Sequence, residues 1–106
     1  MSNETPTTIY PKKLGTARKA IIHPARGQSN ARQGRGVWYE INWKVNDGEQ
    51  VYVYDSTVDF DVMKRYQWIW IQSLDADCDK CGWASIQIPL EEMFESVVLV
   101  KEPNAK

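Results

Sequence analysis

The side chains of this 106-residue chain that could do chemistry are few and fall in short stretches. Cys78-Asp-Lys-Cys81 sets two thiols three positions apart, the spacing at which two thiolates on a tight turn chelate one tetrahedral zinc ion. It is half of a metal site. There is no second cysteine pair and the one histidine, His23, lies far off in sequence, so closure needs His23 with a carboxylate, or a second subunit. The competing reading is a pair of ordinary turn thiols and no cofactor. Asp75, Asp77 and Asp79 alternate as oxygen ligands do in a calcium loop. However, Lys80 stands where such a loop turns on glycine, and Ile86 where it closes with a bidentate glutamate. An acidic tip that meets a basic partner is the better use of those carboxylates.

His23, Glu40 and an arginine together hold the acceptor, donor and cation that acid-base cleavage of RNA requires. Nothing else in the chain supports that chemistry. Nucleophile elbow, phosphate loop and metalloprotease helix are all missing, so the chain reads as non-catalytic. Arg26, Arg32 and Arg35 are interspersed with Gly, Gln, Ser and Asn in a stretch from Pro24 to Gly36 that has no large apolar residue. Guanidinium forks on such a segment suit phosphate or carboxylate, and a solvated loop that only aids solubility is the alternative. Five Trp and five Tyr complete the set. Trp38, Trp68 and Trp70 fall opposite the aliphatic side of their alternating stretches. They are core if both sides of the sheet are covered; if one side is open, they form a stacking platform or an interface anchor.

The elements that must position these groups are mostly strands. From Val37 to Val45 apolar and polar residues alternate, Asn46-Asp-Gly-Glu49 offers a reversal, and Gln50 to Tyr54 is expected to return along the first strand as a hairpin. Thr16 to His23 is a weaker strand ended by Pro24. Ser56-Thr-Val-Asp59 has the form of a capping box, which predicts a short helix from about Thr57 to Tyr66. Tyr66 to Ser73 alternates again and is expected to pair with Trp83 to Ile88 across a loop, Leu74 to Gly82. Pro89 opens a second short helix to Ser96, and Val97 to Lys101 is expected as a last strand.

The fold class is therefore a β-rich α+β arrangement, a small antiparallel sheet or an OB-like barrel with one or two short helices. In the order of its elements over residues 16–88, strand, two strands of a hairpin, helix, then two strands of a second hairpin, the chain resembles an OB-fold barrel. That resemblance implies ligand binding on a barrel face. Residues 1–8 are polar and without period and are expected to be a disordered tail, with residues 9–106 a single domain.

The formal charge of −1 hides a split: residues 1–50 carry eight Lys or Arg against four Asp or Glu, and residues 51–106 carry five against ten. No apolar run is long enough to span a membrane and the start of the chain lacks a signal-peptide layout, so a cytoplasmic location with reduced thiols is expected. A charge total this balanced does not suit a dedicated nucleic-acid binder. The reading that follows is a small non-catalytic binding protein acting by protein-protein contact. Inhibitors and immunity-type effectors of mobile elements act in this way, and the partner would be a nucleic-acid-handling complex. The alternative is an OB-like module that binds single-stranded nucleic acid through Arg26, Arg32, Arg35 and the aromatic face.

Overall fold

In a computed structural model the residues described are 8–74 and 80–96. They form strands β1 (Arg18–Ile22), β2 (Gln28–Arg32), β3 (Ile41–Asn46), β4 (Gln50–Phe60), β5 (Gln67–Ser73) and β6 (Cys81–Ile86), a one-turn helix α1 (Leu90–Met93) and a short strand β7 (Phe94–Ser96). The strands lie in one antiparallel sheet of order β3-β2-β6-β5-β4-β1-β7, curled into a half-barrel, with almost no helix. The β-rich expectation holds in that form. No helix among the described residues is long and apolar enough to cross a membrane.

The expected central hairpin does not form as a pair. Asn46 to Glu49 does reverse the chain, with the Glu49 amide donating to the Asn46 carbonyl at 3.1 Å. But β3 pairs with β2, Gln28 opposite Asn46, while β4 pairs with β1, Ile21 opposite Gln50. The two ladders are one bent ribbon. Pairing is carried round the corner by Gly48 N–H to Ile22 O at 2.8 Å and Asp47 N–H to Gly27 O at 3.1 Å. Gly27 and Gly48 take φ of +83° and +90° there, which residues with a Cβ adopt only at a cost. Trp43 and Val45 of β3 still meet Val51 and Val53 of β4 in one core cluster, across the inside of the curl instead of side by side.

Two further expectations are corrected. The stretch from Pro24 to Gly36 is not a loop throughout, because Gln28–Arg32 is a strand with two neighbours. Its buried residues are Ser29 and Ala31, small side chains opposite Val45 and Trp43 on β3. Nor is Thr57 to Tyr66 a helix. β4 runs on to Phe60, with Asp55 to Val58 bulged out between the pairs Tyr54–Trp70 and Asp59–Trp68. Thr57, taken above for part of a capping box, instead bridges that bulge, donating to the Tyr54 carbonyl at 2.7 Å and accepting the Trp70 amide at 2.9 Å. The acidic residue that caps a turn is Asp61, whose carboxylate accepts the Arg65 amide at 3.0 Å. The turn from 61 to 66 also uses a left-handed Lys64, at φ 55°.

The expected pairing of β5 with β6 forms, with Trp70 opposite Trp83 and β6 starting two residues earlier than expected, at Cys81. β5 is central and covered on both sides. Ile69 and Ile71 enter the inner cluster with Ile22, Val45, Val51, Val53 and Phe94. Trp68 and Trp70 enter an outer cluster with Cys81 and Trp83. Residues 8–14 lie over that outer cluster: Leu14 packs against it, the Tyr10 ring is 5.1 Å from Trp70, and the Ile9 carbonyl accepts the Trp83 indole N–H at 2.7 Å. Within the expected disordered tail, Thr8 is held by the Asn42 amide at 2.9 Å; residues 1–7 lie outside the described set. Pro89 does precede a helix, but only of one turn. Phe94 leaves it for an antiparallel pairing with Ile22, which buries the ring, so β7 begins where the helix was expected to continue. The strand expected from Val97 to Lys101 also lies outside the described residues.

Candidate interaction surface

The loop joining β2 to β3, residues 33–40, is closed at its neck by the Gln33 amide on the Glu40 carbonyl at 2.9 Å and by Arg32 Nη1 on the Tyr39 carbonyl at 2.8 Å. Gly34 and Gly36 are there for contact. A Cβ on Gly34 would fall 2.6 Å from the Tyr39 ring, and one on Gly36 would strike the Trp38 indole. Both aromatic rings therefore fold back onto their own loop, with centroids 5.8 Å apart. Trp38 is nevertheless 50 % exposed. It is a large side chain that packs on one side against its own loop and presents the other to solvent.

Arg35 leaves the same loop and stacks over the Trp83 ring at 5.1 Å. Its Nε donates to the Phe60 carbonyl at 3.1 Å and Nη2 lies 3.6 Å from Asp59. This ties the loop to the end of β4 and the turn after it. Ile9, Trp38, Phe60 and Val62 then surround a pocket of about 280 Å³ with Arg35 in its wall and Trp83 beneath. Val62 is 82 % exposed, and Val37, Met63 and Tyr66 add to the apolar residues left in solvent. An adjoining pocket shares Ile9, Arg35 and Trp83 and brings in Lys12 and Lys13. Lys64 and Arg65 follow Val62 in the same turn, so the apolar ring has a basic margin.

The residues singled out from sequence scatter over the structure. Trp38 is exposed, as a binding role needs. Trp68 and Trp70 are 1 % and 0 % exposed and cannot form a stacking platform. The physical reason is the covered outer face: their indole N–H groups are satisfied internally, by Asp61 Oδ2 at 3.2 Å and Gln72 Oε1 at 3.0 Å. Arg26, Arg32 and Arg35 do not share one loop. Arg26 sits at the ribbon corner and Arg32 at the end of β2, lining a different cleft from Arg35. Cys81 is not on a loop tip but in β6, 2 % exposed among tryptophans. Cys78 and the acidic tip Asp75, Asp77 and Asp79 lie outside the described residues. Among the described residues no three His, Cys, Asp or Glu gather as a metal site.

His23 does not partner Glu40. Its Nδ1 is 2.8 Å from Asp47 and its Nε2 3.0 Å from Glu95, so it clasps the ribbon corner to β7. The hydrogen bond to Glu95, then that to Asp47, raises its pKa above 6.5 against the pull of desolvation. Asp61 is buried, which would raise its pKa. The amides of Arg65, Tyr66 and Met63 and the Trp68 indole outweigh that and hold it below the ordinary carboxylate value.

Sequence reasoning missed Phe60, Val62 and Ile9. Val62-Met63 inside a polar turn was the available signal, and it was absorbed by the expected helix, where apolar residues have a face to hide on. No family model matches this chain, and no curated protein or solved structure shows significant similarity to it.

Proposed function

We propose that this protein is a non-catalytic module that occupies a protein partner's surface, in the manner of inhibitors and immunity-type effectors, and that Trp38 is its anchor. The observation that carries the reading is a half-exposed tryptophan at the rim of a 280 Å³ pocket, packed against Gly36 and Tyr39 of its own loop. An aromatic already packed on one side loses less side-chain entropy on docking, and Trp with Arg is the composition of interface hot spots. The basic margin of Lys12, Lys13, Lys64 and Arg65 suits a partner that presents an apolar side chain among carboxylates. A nucleic-acid-handling partner with a basic groove would be met elsewhere, by the exposed Glu91, Glu92 and Glu95 on α1 and β7.

The alternative, an OB-like barrel that binds single strands, rests on the curled sheet and the arginines alone once Trp68 and Trp70 are counted as core. The test is capture from the native host with the full chain as bait, comparing wild type with Trp38→Ala and Val62→Asp. The proposal expects a protein retained by wild type and lost by both variants. Identical capture by all three baits overturns it, and tight binding of single strands with no protein captured favours the alternative.

A further inference from the structure

β2 and β6 meet through a single residue pair, Arg32 opposite Trp83. Beyond it, toward the ribbon corner, residues of β2 and of the chain from Ser85 to Ile88 line a cleft of about 190 Å³. Arg26 and Arg32 line the cleft together with Asn30, Ser85 and Gln87, and Trp68 contributes an apolar wall. None of its lining residues is acidic among the described residues. Arg32 is fixed by the bond from Nη1 to Tyr39 O, while its other donors have no partner among the described residues. Arg26 is exposed and makes no hydrogen bond or ion pair within them.

We infer that this cleft binds a small phosphate monoester. Two guanidinium groups with no opposing carboxylate match a dianion better than a single carboxylate, and planar forks suit phosphate oxygens. Size limits the rest of the ligand. A cavity of about 150 Å³ takes a benzene-sized molecule, so the cleft holds a phosphate with a few carbons and not a nucleotide. The cleft is separate from the Trp38 pocket, and either assignment stands without the other.

The experiment is titration of isotope-labelled full-length protein, followed by amide shifts, with inorganic phosphate, glycerol phosphate, acetate and uncharged glycerol. The expected result is saturable shifts confined to residues 26–32 and 85–88 with the two phosphates, and none with glycerol. Arg26→Gln should weaken binding roughly tenfold while leaving the melting temperature unchanged, since that side chain supports nothing else. Arg32→Lys, which keeps the charge but loses the fork, should weaken it as well. The inference is overturned by any of three results: shifts that rise without saturation and spread to Lys12 and Lys64, acetate binding as well as phosphate, or Arg26→Gln binding like wild type. Binding of single-stranded oligonucleotide with phosphate and glycerol phosphate silent overturns it too, in favour of a strand-binding surface.

Discussion

The Thr57 hydroxyl takes the Trp70 amide at 2.9 Å where the ladder between β4 and β5 is interrupted, so a side chain stands in for a backbone carbonyl at the centre of the sheet. Trp70 is fully buried, where a backbone N–H without an acceptor is costly. Thr57→Val keeps the shape and removes the acceptor. It should destabilise the protein by about 1–3 kcal/mol, while Thr57→Ser stays within about 1 kcal/mol of wild type. Urea denaturation of the three proteins measures this, and equal midpoints for the valine and serine variants would refute it.

Two tryptophans should answer truncation in opposite ways. Trp70→Ala opens a cavity in the outer cluster and should cost about 3–5 kcal/mol, a large part of a small domain's stability. Trp38→Ala should cost about 1 kcal/mol or less and act on partner capture instead. Thermal melts set beside the capture assay separate the two. A Trp38→Ala protein that unfolds like Trp70→Ala would make Trp38 a structural residue.

His23 predicts a pH dependence with a definite sign. Its folded pKa lies above 6.5 because Glu95 and Asp47 favour the imidazolium. The stabilisation is fully present below the unfolded value and declines as pH rises through the folded one. Chemical denaturation at a series of pH values should show this decline, and His23→Gln should remove that part of it. A slope unchanged by His23→Gln would mean that the clasp contributes nothing in solution, as exposed ion pairs often do not.

Gly82 in β6 is pressed against β2: a Cβ there would sit 2.7 Å from the Arg32 carbonyl oxygen and 2.8 Å from the Ala31 carbonyl carbon. Those are backbone atoms that cannot swing aside. Gly82→Ala should therefore destabilise by about 1–3 kcal/mol. Hydrogen exchange should show the loss first at β2, and unchanged protection of residues 28–32 would count against the contact.

What could be read from the sequence was local. The alternation of Trp68, Ile69, Trp70 and Ile71 gave both the strand and the two faces, and the turn at Asn46 to Glu49 is where it was expected. Which strand that turn leads to is not a local property. The alternation in β3 and β4 suits any antiparallel neighbour, and the bend at Gly27 and Gly48 reassigned both strands. Thr57 and Asp61 show the same limit in polar residues. A hydroxyl or carboxylate followed by suitable spacing caps a helix, bridges a bulge or closes a turn with the same atoms. β2 was hidden because Ser29 and Ala31 carry no hydrophobic signal, although their small size is what the crowded interior there requires. At the candidate site, Trp38 was visible as an unexplained aromatic. Phe60 and Val62 reach it only through the end of β4.

The bent ribbon also bears on how the chain assembles. Residues 18–32 and 41–53 are joined by one short loop, so pairing can start at the neck between Gln33 and Glu40, run along β2 and β3, turn the corner and finish along β1 and β4. Each step closes only a small additional loop, and the β5–β6 hairpin can zip up separately before docking against β4. A sheet whose final strand order looks scrambled is thus reached largely by two zippers, each between strands that follow one another in sequence.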